Sequence, residues 1–360
     1  MGVWLSTHRA PDSRIPIVFA GRGVRPHASV PDGADLRRIA PTVARALVFE
    51  RPFPEVRSGR ALPGVTGRER PRLVLQVVWK DVGAADLAAD RGAWPTLERL
   101  LTVGAGTLRG AVGSLPLDPA AALATIGTGG LPAEHGIVGT WLRDDQGDVV
   151  RAWSPGAPTS VIATLADDLD EAMGQRAMIG LVGTDPADRG IVGRAWYGRA
   201  DHDAIVVAKR RGDRRREVQR ILSAGFGRDS VPDLLAVVGS GPVRRLDGEL
   251  RGIVRAAASA SDGSLMIVVT ATGSPASTSD GPRLPARDVI RAVEATPVTD
   301  GRLVEAATPG GLFLDRVTLA RERVPGSAAA AAVLAMKAPD GTSLFADAFQ
   351  GFAVSFGRFC

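Results

Sequence analysis

Four apolar runs constrain this chain more than any other feature: Leu73–Trp79 (LVLQVVW), Ala177–Val182 (AMIGLV), Val231–Val238 (VPDLLAVV) and Ser264–Val269 (SLMIVV). Each is nearly unbroken rather than alternating, the pattern of a strand covered on both faces. Segments with helical periodicity separate them: Trp94–Val103, Thr159–Ala172 with Val161, Leu165 and Leu169 on one face, and Asp213–Leu222. Strands alternating with helices call for a layered α/β fold. The expectation is therefore an α/β, three-layer sandwich around a mostly parallel sheet, with the four runs sharing that sheet.

Between the first two runs lies the segment richest in chemical content, Ser114–Thr140 (SLPLDPAAALATIGTGGLPAEHGIVGT). Asp118 followed by Pro119 reads as a helix N-cap and first helical position, because proline gives up an amide that would be unpaired there anyway. The helix body, Ala120–Ile126, has mostly small side chains and can approach a neighbouring backbone closely. Gly127, Gly129 and Gly130 permit the positive φ that ends a helix. A loop with Pro132, His135, Gly136 and Ile137 follows.

The pattern T-I-G-T-G-x-L-P-x-E-H-G-I-V-G over Thr125–Gly139 resembles the nucleophile segment of the alkaline phosphatase superfamily, in its type I phosphodiesterase and nucleotide pyrophosphatase branch. The resemblance implies an alkaline phosphatase-like fold, phosphoric ester hydrolysis, and zinc or another divalent metal as cofactor. It also places the functional positions. Counting back from Thr128-Gly129, the nucleophilic threonine of the family falls on Pro119, which has no hydroxyl. The asparagine that helps hold the phosphoryl oxygens falls on Thr140. Asp118, Thr125, Thr128, His135 and Thr140 remain as candidates for a role in this segment. The two inner threonines also read as a helix back-bonding residue and a turn residue.

The resemblance extends over most of residues 5–60 and 73–274, in an unusual order. Thr7-His8-Arg9, Ile15–Val24 and Ile39–Thr42 resemble the closing part of such a domain, which puts His8 on a metal-binding histidine of the family. A solvated imidazole is the other reading of His8, since one histidine alone holds no metal tightly. The first strand of the family ends in a metal-binding aspartate. That position falls on Lys80, with Asp81 one residue off. A one-residue slip turns a side chain to the opposite face, so Asp81 as a ligand requires a local bulge, and a capping role is the alternative. After Val238 the chain reads GSGPVRRL where the family has an aspartate and a histidine. After Thr270 it reads Ala271-Thr272-Gly273-Ser274 in place of an Asp-His pair.

These features divide the chain into residues 1–65, the segment resembling a closing part; residues 66–72, the end of a Pro-, Gly- and Arg-rich linker that begins near Glu50; and residues 73–360, an alkaline phosphatase-like domain lacking most catalytic residues. The first segment either closes a preceding domain or docks beside the second as a permuted strand–helix pair.

With 45% hydrophobic residues in 360 the composition is that of a globular chain. No apolar run approaches the roughly 20 residues of a membrane helix, and the start lacks the basic and apolar regions of a signal peptide. Cys360 is the only cysteine, so internal disulfides and zinc–thiolate clusters are excluded. A cytoplasmic protein without membrane contacts is the expectation. The net charge of +5 is carried almost wholly by arginine. Its densest run, Lys209–Arg216, is broken by Asp213 and has no interleaved aromatic residues to stack on bases, so it reads as a solvated helix entry and not as a nucleic-acid site. Asp201-His202-Asp203 could bring two carboxylates to one side of an extended segment; an exposed loop is the other reading.

Three functions follow. One is a non-catalytic alkaline phosphatase-like protein supporting or regulating an active partner domain, or a homo-oligomer. Another is a metal-dependent phosphodiesterase or phosphatase with a remodelled site built from Asp81, Asp118, His135 and His202. The third is an anion-binding module using the Asp118 helix terminus.

Overall fold

In the computed structural model of the chain, residues 2–6, 13–114, 117–194, 196–198, 204–207, 213–274, 284–296, 298, 300–308, 311–345 and 347–350 are described. The elements run β1 (Gly2–Ser6), β2 (Arg14–Gly21), α1 (Ile39–Ala46), β3 (Leu73–Lys80), α2 (Ala84–Ala89), α3 (Pro95–Val103), β4 (Ala105–Ala111), α4 (Pro119–Thr128) and α5 (Pro132–His135). There follow the hairpin strands β5 (Trp141–Arg143) and β6 (Val149–Arg151), then α6 (Leu165–Ala172), β7 (Ile179–Gly183), β8 (Ala204–Val207), α7 (Asp213–Ser223), β9 (Asp233–Ser240), α8 (Val243–Ala260) and β10 (Leu265–Ala271). The last elements are α9 (Ala286–Glu294), β11 (Val304–Thr308), β12 (Gly311–Leu314), α10 (Arg316–Arg321), α11 (Gly326–Leu334) and β13 (Asp347–Gln350).

The chain separates into two compact units, residues 10–275 and residues 1–9 with 276–360. The larger is built on a seven-stranded sheet of order β4-β2-β10-β3-β9-β7-β8. Strands β10, β3, β9, β7 and β8 are mutually parallel, and β2 is antiparallel to both its neighbours. The four apolar runs become β3, β7, β9 and β10, the adjacent centre of this sheet. Every residue of β3, β7 and β10 is buried, as their unbroken apolar character requires.

Helices cover both faces. On one, the missing side chains of Gly180 and Gly239 leave room for Ile221 and Phe226, and for Leu246 and Arg214, so α7 and α8 lie there. On the other, Gly183 faces Asp188 of a 3-10 turn, Pro186–Ile191, against which α4 packs. A Cβ at Gly127 of α4 would stand 2.6 Å from the carbonyl oxygens of Gly190 and Ile191. This close approach is why the helix is made of small residues.

The division at 65 and 72, drawn from the resemblance and the Pro-, Gly- and Arg-rich stretch, is not that of the compact units. The boundaries at 65 and 72 fall inside the larger unit, because β2 is an inner strand of its sheet and α1 packs on α4 and α6. The Pro- and Gly-rich stretch is not a free linker either. Leu62 and Val65 are fully buried, the Gly67 amide bonds the Gly23 carbonyl at 2.9 Å, and the Arg72 amide bonds the Ser264 carbonyl at 3.0 Å. Arg51 and Arg57 both reach the buried carboxylate of Asp168, at 2.7 and 3.2 Å, and anchor the segment over α6. Tyr197 donates to the other oxygen of Asp168 at 2.6 Å, so the acid is shared by three partners.

Two local expectations also shift. Helix α6 begins only at Leu165, with the Thr164 hydroxyl accepting from the Asp167 amide, and Val161 is 63% exposed. Arg214, expected in a solvated helix entry, is buried between α7 and α8 and paired with Glu249 at 2.6 Å.

The smaller unit is a four-stranded antiparallel sheet of order β11-β12-β1-β13. Its separate core includes Val289, Val293, Leu303, Leu314, Val333 and Phe345. Among the described residues no helix is long and apolar enough to cross a membrane.

Candidate functional site at the strand ends

In open α/β sheets, ligands gather beyond the carboxyl ends of the parallel strands. Here β3 ends at Lys80, in register with Ser240 of β9. The Lys80 side chain is buried, and its ammonium donates to Asp188 Oδ1 at 2.7 Å. Asp188 Oδ2 accepts from the Thr184 amide at 2.6 Å, the Asp185 amide at 3.0 Å and the Thr184 hydroxyl at 3.1 Å. Both oxygens are thus engaged. Asp188 is the residue that sequence reasoning missed at this site. Its signal was available: Asp185-Pro186 repeats the cap-then-proline start of α4, with an acid three residues after the cap.

Asp118 and Pro119 occupy the positions read from sequence. Asp118 has extended backbone (φ −118°, ψ 127°), and its Oδ1 accepts from the Ala120 amide at 2.8 Å and the Ala121 amide at 3.4 Å. Pro119 is the first helical residue of α4. Thr140 donates its hydroxyl to the same Asp118 oxygen at 3.0 Å. The side chain where the resemblance implies a phosphoryl clamp therefore braces a helix cap. The free amides at this helix start are directed at a carboxylate of the chain itself, which leaves the terminus without its usual attraction for an outside anion.

Asp81 follows the strand in left-handed backbone with φ +60°, and its amide donates to Thr272 Oγ1 at 3.0 Å. The cap position of α2 is held by Gly83 and not by Asp81, and the Gly83 amide donates to Asp86 Oδ2 at 2.7 Å. Burial raises the Asp81 carboxyl above the usual carboxylate range; Lys80 opposes the shift, while Asp118 and Asp188 add to it. Lys80, Asp81, Asp118 and Asp188 thus feel one another at one end of the sheet. The turn spends Thr272 on holding the Asp81 backbone.

His135 is fully buried inside the larger unit. Its Nδ1 accepts from the Ile137 amide at 3.1 Å, so Nε2 carries the proton and donates to Thr125 Oγ1 at 3.1 Å. Burial lowers the imidazole to about 4, against a smaller opposing effect of Glu134. The Thr128 hydroxyl donates to the Ala124 carbonyl at 2.7 Å and accepts from the Gly130 amide at 3.1 Å. Back-bonding thus belongs to Thr128, while Thr125 serves the histidine. Neither hydroxyl nor the imidazole reaches the strand-end cluster. His8 and Asp201-His202-Asp203 lie outside the described residues.

The donor set does not fit zinc or a similar divalent ion. Such metals need carboxylate and neutral imidazole ligands converging on one point. Here a buried ammonium stands where the resemblance puts the first carboxylate, and Asp188 and Asp118 are committed to protein donors. Among the described residues, no group of three His, Cys, Asp or Glu side chains is placed to hold a metal.

No family model and no curated protein sequence matches the chain. Solved structures do. A quadruple mutant of the alkaline phosphatase PafA matches with a TM-score of 0.54 and 14% identity, covering 74% of this chain and 77% of that one. The wild-type enzyme matches with a TM-score of 0.52 and 14% identity, covering 74% and 76%. A phosphonoacetate hydrolase from Sinorhizobium meliloti 1021 in complex with phosphonoacetate matches with a TM-score of 0.38 and 20% identity over 58% of each chain. At these identities the likeness to PafA establishes a shared fold, the layered α/β fold of an alkaline phosphatase.

Proposed function

We propose that this chain is a non-catalytic member of the alkaline phosphatase superfamily, supporting or regulating an active partner instead of hydrolysing phosphoric esters by itself. The partner would be a separate alkaline phosphatase-like domain or a second copy of the chain. The fold shared with an alkaline phosphatase and the Thr125–Gly139 pattern support the lineage. The observation that carries the reading is the buried Lys80–Asp188 pair.

Two-metal phosphoryl transfer uses metals to activate a nucleophile and to neutralise developing charge on the transferred group. A fixed ammonium at the end of β3 repels a divalent cation, and its counter-charge is already supplied. Pro119 offers no nucleophile, and Asp118 is tied to the amides behind it. Losses of this kind within one site cost orders of magnitude in rate, because each removes a group on which the others depend.

The test is direct. Purified full-length chain, loaded with zinc or manganese and freed of excess, should carry substoichiometric metal by elemental analysis. It should hydrolyse chromogenic phosphodiesters and phosphomonoesters no faster than buffer. Metal-dependent turnover that disappears in a folded Asp81→Ala variant would overturn the reading.

A further inference from the structure

Helices α3 and α8 flank an open groove of about 410 Å³ lined by Pro95, Thr96, Arg99, Arg251, Val254, Arg255 and Ala258. It shares no residue with the strand-end cluster. Its size lies within the roughly 300–1,000 Å³ of small-molecule sites. Three of its seven lining side chains are arginines, and none is an acid.

Arg251 and Arg255 are one turn apart on α8, a spacing at which like charges repel, and Arg99 adds a third guanidinium from α3. Among the described residues none of the three has an acidic partner. The nearest acid along that face of α8, Asp247, is buried. It spends one oxygen on the Thr96 amide at 3.0 Å and the other on the Leu97 amide at 2.9 Å. The start of α3 is thereby satisfied from within, so the pull on an anion comes from the guanidinium groups and not from the helix end. All three arginines are solvent-exposed, so their guanidinium groups are open to a ligand from solution.

We propose that this groove binds an organic phosphate carrying two or more negative charges. Its phosphates would sit on the forks of Arg99, Arg251 and Arg255, which match phosphate oxygens two at a time. Its apolar body would lie over Val254, Ala258 and Pro95. This site is independent of the strand-end cluster and of its proposed lack of chemistry.

Calorimetric titration of the full chain with ATP, without added metal, tests the proposal. The wild type should bind, and inorganic triphosphate should bind several-fold more weakly because it leaves the apolar floor uncovered. The double variant Arg251→Glu/Arg255→Glu should lose at least tenfold in affinity with unchanged circular dichroism. The double lysine variant at the same positions, which keeps the charge and loses the forks, should lose several-fold. Arg176→Glu alters net charge beside α6, outside the groove, and should change little. Absence of ATP binding by the wild type, or an equal loss in Arg176→Glu and in the Arg251→Glu/Arg255→Glu double variant, would overturn the site. Equal affinity for triphosphate and ATP would overturn the assignment of an apolar body to the floor.

Discussion

Asp118 shows how a single carboxylate can be redirected. One of its oxygens serves two amides of α4 and the Thr140 hydroxyl, which makes it a structural acceptor at the mouth of the sheet. Asp118→Ala should lower unfolding free energy by about 0.5–2 kcal/mol, the usual range for loss of a cap. Denaturant titration measures this, and an unchanged midpoint would exclude the capping role. His135 offers a second residue-scale test. In the native chain its ring stays neutral down to about pH 4, whereas the unfolded ring takes up a proton near 6.5. Between those values the unfolded state binds more protons, so the contribution of His135 to stability is lost as pH falls from 6.5 towards 4. The loss is at most about 3 kcal/mol. Asp167, raised by burial to about 7, and Asp233, raised by burial to about 6, act in the opposite direction over part of this range. The pH dependence of wild type minus His135→Gln isolates the histidine. A difference that stays flat from pH 7 to 4.5 would contradict the buried neutral ring.

Elements here are held as much by distant side chains as by their own. Helix α3 starts with a proline and has no cap from its own Trp94; Asp247 of α8 supplies the acceptors for Thr96 and Leu97. Asp247→Ala should cost about 1–3 kcal/mol, since two buried amides lose their partner. Asp247→Asn, keeping one acceptor, should recover part of the loss. Equal denaturation midpoints for all three proteins would refute the assignment. The same contrast explains what was legible in the sequence. Strands β3, β7, β9 and β10 announced themselves because burial on both faces leaves an unbroken apolar run, and α4 did so because Asp118-Pro119 is a local signal. The anchoring of residues 50–65 was not legible. Arg51 and Arg57 find Asp168 more than a hundred positions away, and such a pair leaves no period in the chain. Arg214 hid among surface-like arginines for the same reason. At the strand ends the departures at Lys80, Pro119 and Thr140 could be read locally. The acid that neutralises Lys80 could not, because nothing in a one-dimensional pattern says which of many aspartates faces it.

At the scale of the whole molecule, the larger unit contains all seven strands of its sheet and two cores of its own, while among the described residues the buried core of the smaller unit falls within residues 289–348. A fragment spanning residues 10–275 should therefore fold by itself, with a cooperative melt and helical circular dichroism. A fragment that is soluble but unstructured would show that the units are not independent. The smaller unit differs in one respect. Its sheet order, β11-β12-β1-β13, places the earliest strand of the chain between two of the latest. A ribosome adding about 5–20 residues per second releases Gly2–Ser6 tens of seconds before β12 and β13 exist. Throughout that interval the five residues have neither flanking partner, even while the larger unit has all it needs to close. Birth order and neighbour order are opposed in this sheet, so it can close only after β12 and β13 have been made, and until then β1 is open to any chaperone or foreign strand edge that reaches it first.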